Sequence, residues 1–417
     1  MNSNQKENQN LSSTDSESQE EIEIDSDDKI IITEEDETKI LNESQNFDNQ
    51  VHEKLHKYFS LQLKEEKKEK ENEDEDDEKE NDPYAIPRFI INLDEPPETR
   101  WHEVVEKYKS CYKEVLEFLD GMIKEIFGSG LIGKFMKKIA NSIFGSIAKS
   151  GAVFFGKELQ AIAKQSKFPL GSLLLLNIAY ELSAACTSIV TQRSDDNKFV
   201  LARTMDWEMP FLKKFTIEID FRRNGETVFI GTTWPGYAGI LTGMKPGVAA
   251  VSVNYRVTGG SVLKNLMTAK DGAWPVGFLV RHLLTSDYSY DEIVGGLSKS
   301  FLMAPVYLTV CGVSDATLIT REREDEVKKS RWTFSKKGLI IQCNQDHWRN
   351  DSDSDVFMSR KRKKAAKKIL AEMEEKDLIN NDTLWALLYT PPLTNDITIY
   401  YTVCCPDDGY YKSRIAI

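Results

Sequence analysis

The side chains with the clearest chemical potential lie on the two sides of one polar turn. Ala185, a small residue, precedes Cys186, and the Thr-Ser-Ile-Val that follows is typical of a strand. Arg203 and Asp206 stand on the next strand-like segment. A lone cysteine is usually a small buried apolar residue. Two strands and a turn would, however, bring this arginine and aspartate back beside it. Because arginine favours a thiolate and aspartate could hold a nearby amine, the group predicts a cysteine nucleophile.

Short strands and a few helices must position these side chains. From Cys186 onward, apolar segments alternate with polar turns, whereas residues from Trp101 recur at helical spacing. Helices followed by many strands, with two helices among them, predict a layered α+β fold. The predicted strands are 88–93, 188–190, 198–202, 216–221, 227–232, 248–253, 306–311, 316–320, 338–342, 397–403 and 410–415, and the predicted helices include 166–182, 275–284, 291–299 and 359–375.

The first 82 residues hold most of the excess negative charge. Residues 1–82 contain 28 acidic and 10 basic side chains, a net charge of −18, whereas the whole chain has a net charge of −13. Too few apolar residues remain in this segment to bury a core, so the composition predicts a disordered tail. The simplest interpretation is a solvated tail, and the alternative is an acidic segment that docks on a basic partner.

Residues 126–157 contain no acidic side chain. Five lysines lie among Ile, Phe, Leu, Met and Gly. One interpretation is a set of short helices that cover a core. The other is an amphipathic surface for anionic lipid, basic on one face and apolar on the other.

Composition and motifs argue against several classes of protein. Met1–Asn10 is polar and has no secretory signal pattern, and no apolar run approaches the ~18 residues of a membrane span. Six cysteines in 417 residues do not suggest a disulfide framework. The sequence has no zinc-ligand spacing, phosphate-binding glycine motif or basic–aromatic nucleic-acid pattern. We therefore expect no metal, cofactor or nucleic acid, and a cytoplasmic location.

Motifs on both sides of Cys186 occur in the order found in one enzyme family. They are 92–97, Arg100-Trp101, 180–190, 201–207, 221–225, 235–239, 241–247, 304–307, 319–321 and 344–348. From about residue 83 to 415, the chain resembles the acid ceramidase and N-acylethanolamine-hydrolysing acid amidase family. These are N-terminal nucleophile hydrolases, like choloylglycine hydrolase and penicillin V acylase. The resemblance implies an αββα sandwich with a helical N-terminal segment.

The resemblance also implies that the chain cuts itself. Cys186 would attack the carbonyl of Ala185, and hydrolysis would leave a heterodimer of chains 1–185 and 186–417. The first chain would consist of the tail 1–82 and the helical segment 83–185. The freed α-amine of Cys186 has an ordinary pKa near neutrality, so it can act as the base without a histidine.

Three residues match the family's catalytic positions most clearly. The resemblance implies that Arg203 steadies the thiolate or a substrate oxygen, and that Asp206 binds the α-amine of Cys186. Asn344, in Cys-Asn-Gln-Asp-His-Trp, would donate to the oxyanion.

Two further positions match less closely. Asn254, in Ser-Val-Asn-Tyr-Arg, is a second oxyanion or positioning candidate. A later arginine usually completes the site, and Arg360 is the first choice for it, with Arg362 as the alternative. The family commonly has an acidic residue and paired arginines here, where this sequence has Ser359 and Arg-Lys.

The resemblance implies hydrolysis of the N-acyl amide bond of a lipid. Ceramide, giving sphingosine and a fatty acid, is the first expectation, and the segment 126–157 would suit access to an anionic membrane. N-acylethanolamine is the alternative substrate. Conjugated bile acid or penicillin-type amides use the same site with a different pocket, and a catalytically inactive lipid-binding member is the non-enzymatic alternative. Family members are typically lysosomal, from which the signal-free start of this chain departs.

Overall fold

The computed structural model of the protein describes residues 84–115, 117, 118, 121, 155–181, 184–258, 261, 264, 265, 268, 271–327, 331–334, 338–348 and 355–416. The acidic tail expected for residues 1–82 lies outside these residues, and so does nearly all of the lysine-rich segment 126–157. A disordered tail and a lipid-facing surface therefore stay predictions.

Thirteen strands and seven α-helices have both of their ends within the described residues. In chain order they are β1 (Arg88–Asn92), α1 (His102–Lys107), α2 (Gly156–Ser166), α3 (Leu170–Ile178), β2 (Ala185–Gln192), β3 (Phe199–Asp206), β4 (Ile217–Arg223), β5 (Glu226–Thr233), β6 (Thr242–Lys245), β7 (Ala249–Tyr255), α4 (Val276–Thr285), α5 (Tyr290–Lys299), β8 (Val306–Gly312), β9 (Ala316–Arg321), β10 (Trp332–Thr333), β11 (Ile340–Gln342), α6 (Ser359–Glu375), α7 (Asn381–Leu388), β12 (Thr398–Cys405) and β13 (Tyr410–Ile415).

The strands form two sheets. The five-stranded sheet has the order β11-β2-β3-β12-β13, and the eight-stranded sheet has the order β1-β4-β5-β6-β7-β8-β9-β10. All neighbouring pairs are antiparallel except β1 and β4, which are parallel. The strand that carries Cys186 therefore lies inside its sheet, between β11 and β3.

Helices cover the outer face of each sheet. α4 packs on β5, β6 and β7, and α5 packs on β8 and β9. On the other sheet, α6 packs on β11, and α7 packs on β3 and β12. The inner faces of the sheets meet where β2 contacts β7 and β8. The protein is thus a four-layered αββα sandwich, which confirms the fold class predicted from the sequence.

The central strands are apolar on both faces because both faces are covered. Successive side chains of a strand point to opposite faces. Ile189 accordingly lies in the apolar cluster beneath α6 and α7, whereas Val190 lies in the cluster between the sheets. The same alternation separates Val200 from Leu201 and Val403 from Cys404.

The chain before Cys186 is built into the sandwich. β1 forms the edge of the eight-stranded sheet beside β4. Glu158 of α2 is 1% exposed, and its carboxylate lies 2.7 Å from the guanidinium of Arg281 on α4. Burial acts against the charge of Glu158, but Arg281, Trp101 and Arg100 hold its pKa below the ordinary value. Ionic and strand contacts thus join the two sides of residue 185.

Candidate active site

The thiol of Cys186 is buried between the sheets, next to three other side chains. Its exposed fraction is 0%. Its Sγ lies 3.1 Å from Nη2 of Arg203, 3.5 Å from Sδ of Met205 and 3.6 Å from the hydroxyl of Tyr180. A cationic N–H group directed at sulfur stabilises the thiolate. The pocket therefore suits a cysteine nucleophile.

Strand register explains how Arg203 reaches the thiol. β2 and β3 pair so that Cys186 lies opposite Met205, and Ser188 lies opposite Arg203. These four side chains share one face of the sheet, because opposite residues of paired strands point the same way. Arg203 is the diagonal neighbour of Cys186, a distance that a long side chain spans. The structure brings the two together, as the strand–turn–strand pattern predicted.

The guanidinium of Arg203 is fixed and charged. Burial acts against its charge, but Cys186, Tyr400 and Tyr180 outweigh that effect and raise the pKa of Arg203 above its ordinary value. Its Nη1 donates to the carbonyl of Leu241. A charged donor held in this way faces the sulfur before any charge develops there, and such preorganisation is what makes a buried donor effective.

The side-chain amide of Asn344 spans the peptide bond that precedes Cys186. Its Oδ1 accepts from the backbone N–H of Cys186 at 3.0 Å. Its Nδ2 donates to the carbonyls of Tyr255 at 2.9 Å and Ala184 at 3.3 Å. Asn344 follows β11, the neighbour of β2, and is fully buried. One amide group therefore holds the chain on both sides of residue 185.

Arg362 completes this arrangement from α6. Its Nη1 donates to the carbonyl of Cys186 at 2.6 Å and to the hydroxyl of Thr187 at 2.8 Å. Its Nη2 donates to Oδ1 of Asn344 at 2.8 Å. Arg362 also forms an ion pair with Asp206 at 3.3 Å, and both side chains are fully buried. The guanidinium thus fixes the backbone of the nucleophile and the amide beside it.

Arg360, the first choice from the sequence, lies outside the site. Its side chain is 45% exposed and lies 3.8 Å from Asp355. Two positions along an α-helix differ by about 200°, so Arg360 and Arg362 point to opposite faces of α6. Of the two candidates, Arg362 is therefore the one that contacts Cys186 and Asn344 in the structure.

Asp206 lies on the opposite face of β3 from Arg203. It pairs with Ala185 across the strands, and it accepts from Thr398 at 2.8 Å and from Thr204 at 3.3 Å. Burial raises its pKa above the ordinary value, although Arg362 opposes the rise. Asp206 is therefore placed beside the backbone at the start of β2 rather than beside the thiol.

Asn254 joins three strands and does not contact the thiol in the described structure. Its Oδ1 accepts from the hydroxyl of Ser188 at 2.6 Å, and its Nδ2 donates to the carbonyl of Gln342 at 3.0 Å. Ser188 is two residues after Cys186, and Gln342 is two residues before Asn344. Of the two roles considered for Asn254, these contacts favour positioning.

Sequence reasoning missed Tyr180. Its hydroxyl donates to the carbonyl of Val253 at 2.9 Å, so a lone pair remains for the thiol of Cys186. Burial and the neighbouring thiol raise its pKa well above the ordinary value, and it therefore stays a neutral phenol. Only the 3-10 turn Ala179–Glu181 that precedes β2 brings it back to the sulfur. Its place in Tyr180-Glu-Leu-Ser-Ala-Ala-Cys186 is the only signal that the sequence offered.

Within the described ranges, no group of three or more His, Cys, Asp or Glu side chains is arranged to hold a metal ion. No helix of the described residues has the length and apolar character of a membrane span.

The fold and the site define a class of enzyme. An αββα sandwich with a buried cysteine at the start of an inner strand, an arginine on its thiol and an amide on the preceding bond is the arrangement of a cysteine N-terminal nucleophile hydrolase. A family model described as the beta subunit of N-acylethanolamine-hydrolyzing acid amidase matches residues 84–147.

Sequence relatives extend this match over most of the chain. Acid ceramidase of Mus musculus is 32% identical over 357 residues, which cover 79% of this chain and 86% of the relative. Acid ceramidase of Homo sapiens is 30% identical over 358 residues, with the same coverage. The chain therefore belongs to the acid ceramidase family, and it is a cysteine amidohydrolase.

Two solved structures are also similar. The N-acylethanolamine-hydrolyzing acid amidase ortholog of Caenorhabditis elegans is 27% identical, with a TM-score of 0.48, and the match covers 56% of this chain and all 100% of that one. A mutant conjugated bile acid hydrolase of Clostridium perfringens is 12% identical, with a TM-score of 0.37, and the match covers 55% of this chain and 89% of that one.

Proposed function

We propose that the protein cleaves the N-acyl amide bond of a lipid, with ceramide as the first substrate, after it has cut its own chain between Ala185 and Cys186. One observation carries the proposal. Asn344 forms hydrogen bonds with the backbone of Ala184 and of Cys186, on either side of Ala185, and Arg203 contacts the Cys186 thiol. These contacts support a cut at the 185/186 bond. The 32% identity to acid ceramidase supports the choice of ceramide.

Self-cleavage proceeds in two steps, an acyl shift from nitrogen to sulfur and the hydrolysis of the resulting thioester. The Cys186 sulfur adds to the carbonyl carbon of Ala185, the C–N bond breaks, and the thiol proton passes to the departing nitrogen. Water then attacks the resulting thioester, which leaves the carboxylate of Ala185, the free thiol and the free α-amine of Cys186. Arg362 holds the carbonyl of Cys186, so the new N-terminus stays in place while the chain before it departs.

After cleavage, the same side chains catalyse hydrolysis of the lipid amide. The α-amine takes the thiol proton, because its ordinary pKa lies near neutrality. Asp206, opposite Ala185, binds that amine. Once Ala184 withdraws, Nδ2 of Asn344 loses one of its two acceptors and can donate to the oxyanion. The thiolate attacks the amide carbonyl, the amine product leaves with a proton, and water hydrolyses the acyl thioester.

The two chains, 1–185 and 186–417, stay together as a heterodimer. The first carries the tail 1–82 and the segment 83–185, and the second carries most of the sandwich. Their union is supported by the β1–β4 pairing and the buried Glu158–Arg281 pair. The side chain of Asn177 adds hydrogen bonds to the backbone of Gly236 at 2.7 Å and Ala238 at 2.7 Å. Contact of 126–157 with an anionic membrane is supported by composition alone.

N-acylethanolamine is the second candidate substrate. The family model that matches residues 84–147 favours it, because that model describes an N-acylethanolamine-hydrolyzing amidase. The candidates share the bond that is cut and differ in the amine that leaves, so both must be assayed together.

The test uses the purified full-length chain. We expect two bands on a denaturing gel, the larger band beginning with Cys186 on N-terminal sequencing, because 186–417 is longer than 1–185. Labelled ceramide should be hydrolysed faster than labelled N-acylethanolamine at equal concentration. Cys186→Ala should abolish the cut and the hydrolysis, whereas the matched control Cys311→Ala, another buried cysteine, should keep both.

Three results would count against the proposal. An uncut chain without hydrolysis of either lipid from acid to mildly alkaline pH would exclude the enzyme activity. A cut at another bond would exclude Cys186 as the nucleophile. Faster turnover of N-acylethanolamine would overturn the choice of ceramide while leaving the mechanism intact.

A further inference from the structure

The first half of α6 presents a strongly basic surface. Residues 359–368 contain seven Lys and Arg and no acidic side chain. Five of them are exposed and fall within about 120° of the helix circumference, since each residue advances ~100°. These five define the basic face: Arg360, Lys361, Lys364, Lys367 and Lys368.

The side-chain amines of three lysines of the basic face have no carboxylate within 4.0 Å in the described structure. They are Lys361, Lys364 and Lys367; only Arg360, with Asp355 at 3.8 Å, and Lys368, with Glu372 at 3.9 Å, have one. Three exposed lysines elsewhere do have a carboxylate partner: Lys109 with Glu106 at 3.0 Å, Lys113 with Glu117 at 3.8 Å and Lys214 with Glu114 at 2.8 Å.

The order of charges along α6 runs against the helix dipole. Anions are favoured near the first turn of a helix and cations near the last. In α6 the basic residues come first, and the acidic residues Glu372, Glu374 and Glu375 come last. Like charges three and four residues apart also repel one another. The local cost of this arrangement is offset when an external anionic group covers the basic face.

The most acidic stretch of the chain ends, in sequence, two residues before the first described residue, Tyr84. Residues 71–82 contain nine acidic side chains and one lysine, a net charge of −8. Tyr84, two residues later, stacks on Tyr389 at the end of α7 with 5.9 Å between ring centroids. Its carbonyl accepts from the N–H of Ile415 on β13. The chain therefore enters the described structure on the sheet that α6 and α7 cover.

Residues 71–82 are long enough to reach the basic face. Tyr84 lies beside β13, and α6 packs on β11, at the other edge of the five-stranded sheet. Four strand spacings of ~4.8 Å separate these edges, about 19 Å in all. Twelve extended residues span up to ~40 Å.

We propose that residues 71–82 dock on the basic face of α6 in the same molecule. Complementary charge, the place where the tail begins and the reach of the segment carry this inference. The tail shields a helix whose inward side supplies Arg362 to the active site. An anionic lipid surface would compete for the same five side chains. The inference goes beyond the proposed hydrolase activity and does not depend on it.

A zero-length carbodiimide cross-linker tests the contact in the full-length chain. It joins a carboxylate directly to a lysine amine, so only groups in contact react. We expect mass spectrometry to find links from 71–82 to Lys361, Lys364 and Lys367, and to find them at least about tenfold weaker in 1 M salt, where the Debye length is ~3 Å. Links spread over the exposed lysines of the chain, or unaffected by salt, would overturn the proposal.

A second measurement separates the tail from a membrane as occupant. Vesicles of phosphatidylcholine with phosphatidylserine are offered to the full-length protein and to a variant with the nine acidic residues of 71–82 changed to Gln or Asn. We expect at least about tenfold tighter binding by the variant, and loss of that gain when Lys361→Gln, Lys364→Gln and Lys367→Gln are added. The same change at Lys109, Lys113 and Lys214 is the matched control and should leave the gain. Equal binding by the full-length protein and the tail variant, both through α6, would show a free basic face and overturn the proposal.

Discussion

Arg360 and Arg362 point to opposite sides of α6, because only one face of this helix packs against the sheet. Ala366 and Leu370 are buried beneath α6, and Arg362 is four residues before Ala366. The three residues therefore point the same way, and this apolar spacing was enough to predict that Arg362 and not Arg360 faces inward. The motif alone could not distinguish them, since Arg-Lys-Arg offers a guanidinium at either position.

At Arg362 we expect substitution by lysine to slow self-cleavage by about 10- to 100-fold. Lysine keeps the charge but cannot donate to Cys186, Asn344 and Asp206 at once, and a hydrogen bond to a charged group contributes ~1.5–3 kcal/mol. The rate at which the full-length band disappears measures the effect. Arg360→Lys is the matched control and should cut at the normal rate. Equal rates for the two variants would remove Arg362 from the site.

The hydroxyl of Tyr180 gives a second prediction at this scale. Tyr180→Phe removes the group next to the thiol of Cys186 and leaves the carbonyl of Val253 without that donor. We expect self-cleavage to slow by about 5- to 10-fold, the kinetic equivalent of ~1–1.4 kcal/mol. Tyr237→Phe is the control, because the Tyr237 hydroxyl is buried without a hydrogen-bond partner in the described part of the chain. A larger effect at Tyr237 than at Tyr180 would contradict this assignment.

At the scale of elements, a buried ion pair holds the segment that carries Asn344. Asp346 accepts from Nε and Nη2 of Arg256 at 2.7 and 2.9 Å, and from the hydroxyl of Tyr307 at 2.7 Å. Arg256 follows Tyr255, whose carbonyl accepts from Asn344. The pair thus fastens the end of β7 to the segment after β11, and it fixes the distance from Asn344 to the nucleophile.

Breaking that pair should affect stability and self-cleavage together. For Asp346→Asn we expect a loss of up to ~3–5 kcal/mol in the free energy of unfolding, because the buried guanidinium of Arg256 then keeps only Glu322, which is 45% exposed, as a charge partner. Denaturant unfolding and the rate of cutting measure the two effects. Asp287→Asn, at a side chain that is 90% exposed, should change stability by less than ~1 kcal/mol. A stable Asp346→Asn variant that cuts normally would show that the pair does not position Asn344.

The sequence predicted the bounds of many helices and strands well, but it did not predict which strands pair in the sheets. The helices expected at 275–284 and 291–299 are observed as Val276–Thr285 and Tyr290–Lys299. The helix expected at 166–182 instead starts at Leu170, because Lys167 has a left-handed backbone with φ of 56° and Pro169 precedes the first turn. The strand β6 was missed, since its four residues include Gly243 and lie between Pro-Gly turns. No local pattern predicts that β1 pairs with β4, far along the chain.

At the scale of the whole molecule, one buried acid should make stability depend on pH. Glu181 is fully buried at the junction of α3, β2 and α4. Its Oε1 accepts from the N–H of Val276 at 2.8 Å, and Oε2 has no partner in the described residues. Burial raises the pKa of Glu181 from 4.5 to about 8. The folded protein therefore keeps a proton between these values that the unfolded chain has lost.

The sign of the pH effect follows from that difference in proton binding. The stability that Glu181 contributes is fully present below pH 4.5 and is lost as pH rises through about 8. In uncut Cys186→Ala protein, Glu181→Gln should flatten this part of the curve of unfolding free energy against pH. Glu103→Gln, on the exposed side of α1, is the control and should leave the curve unchanged. An identical slope in all three proteins would assign the pH dependence to other groups.

The groups around the 185/186 bond come from parts of the chain that are far apart in sequence. Arg203 belongs to β3, Asn344 follows β11, and Arg362 belongs to α6. They meet only when the five-stranded sheet has its register and its helical cover is seated. Under the proposed mechanism, a misfolded chain lacks the means to cut itself. The fraction of cut protein in a preparation then reports the fraction of molecules that have reached the correct fold.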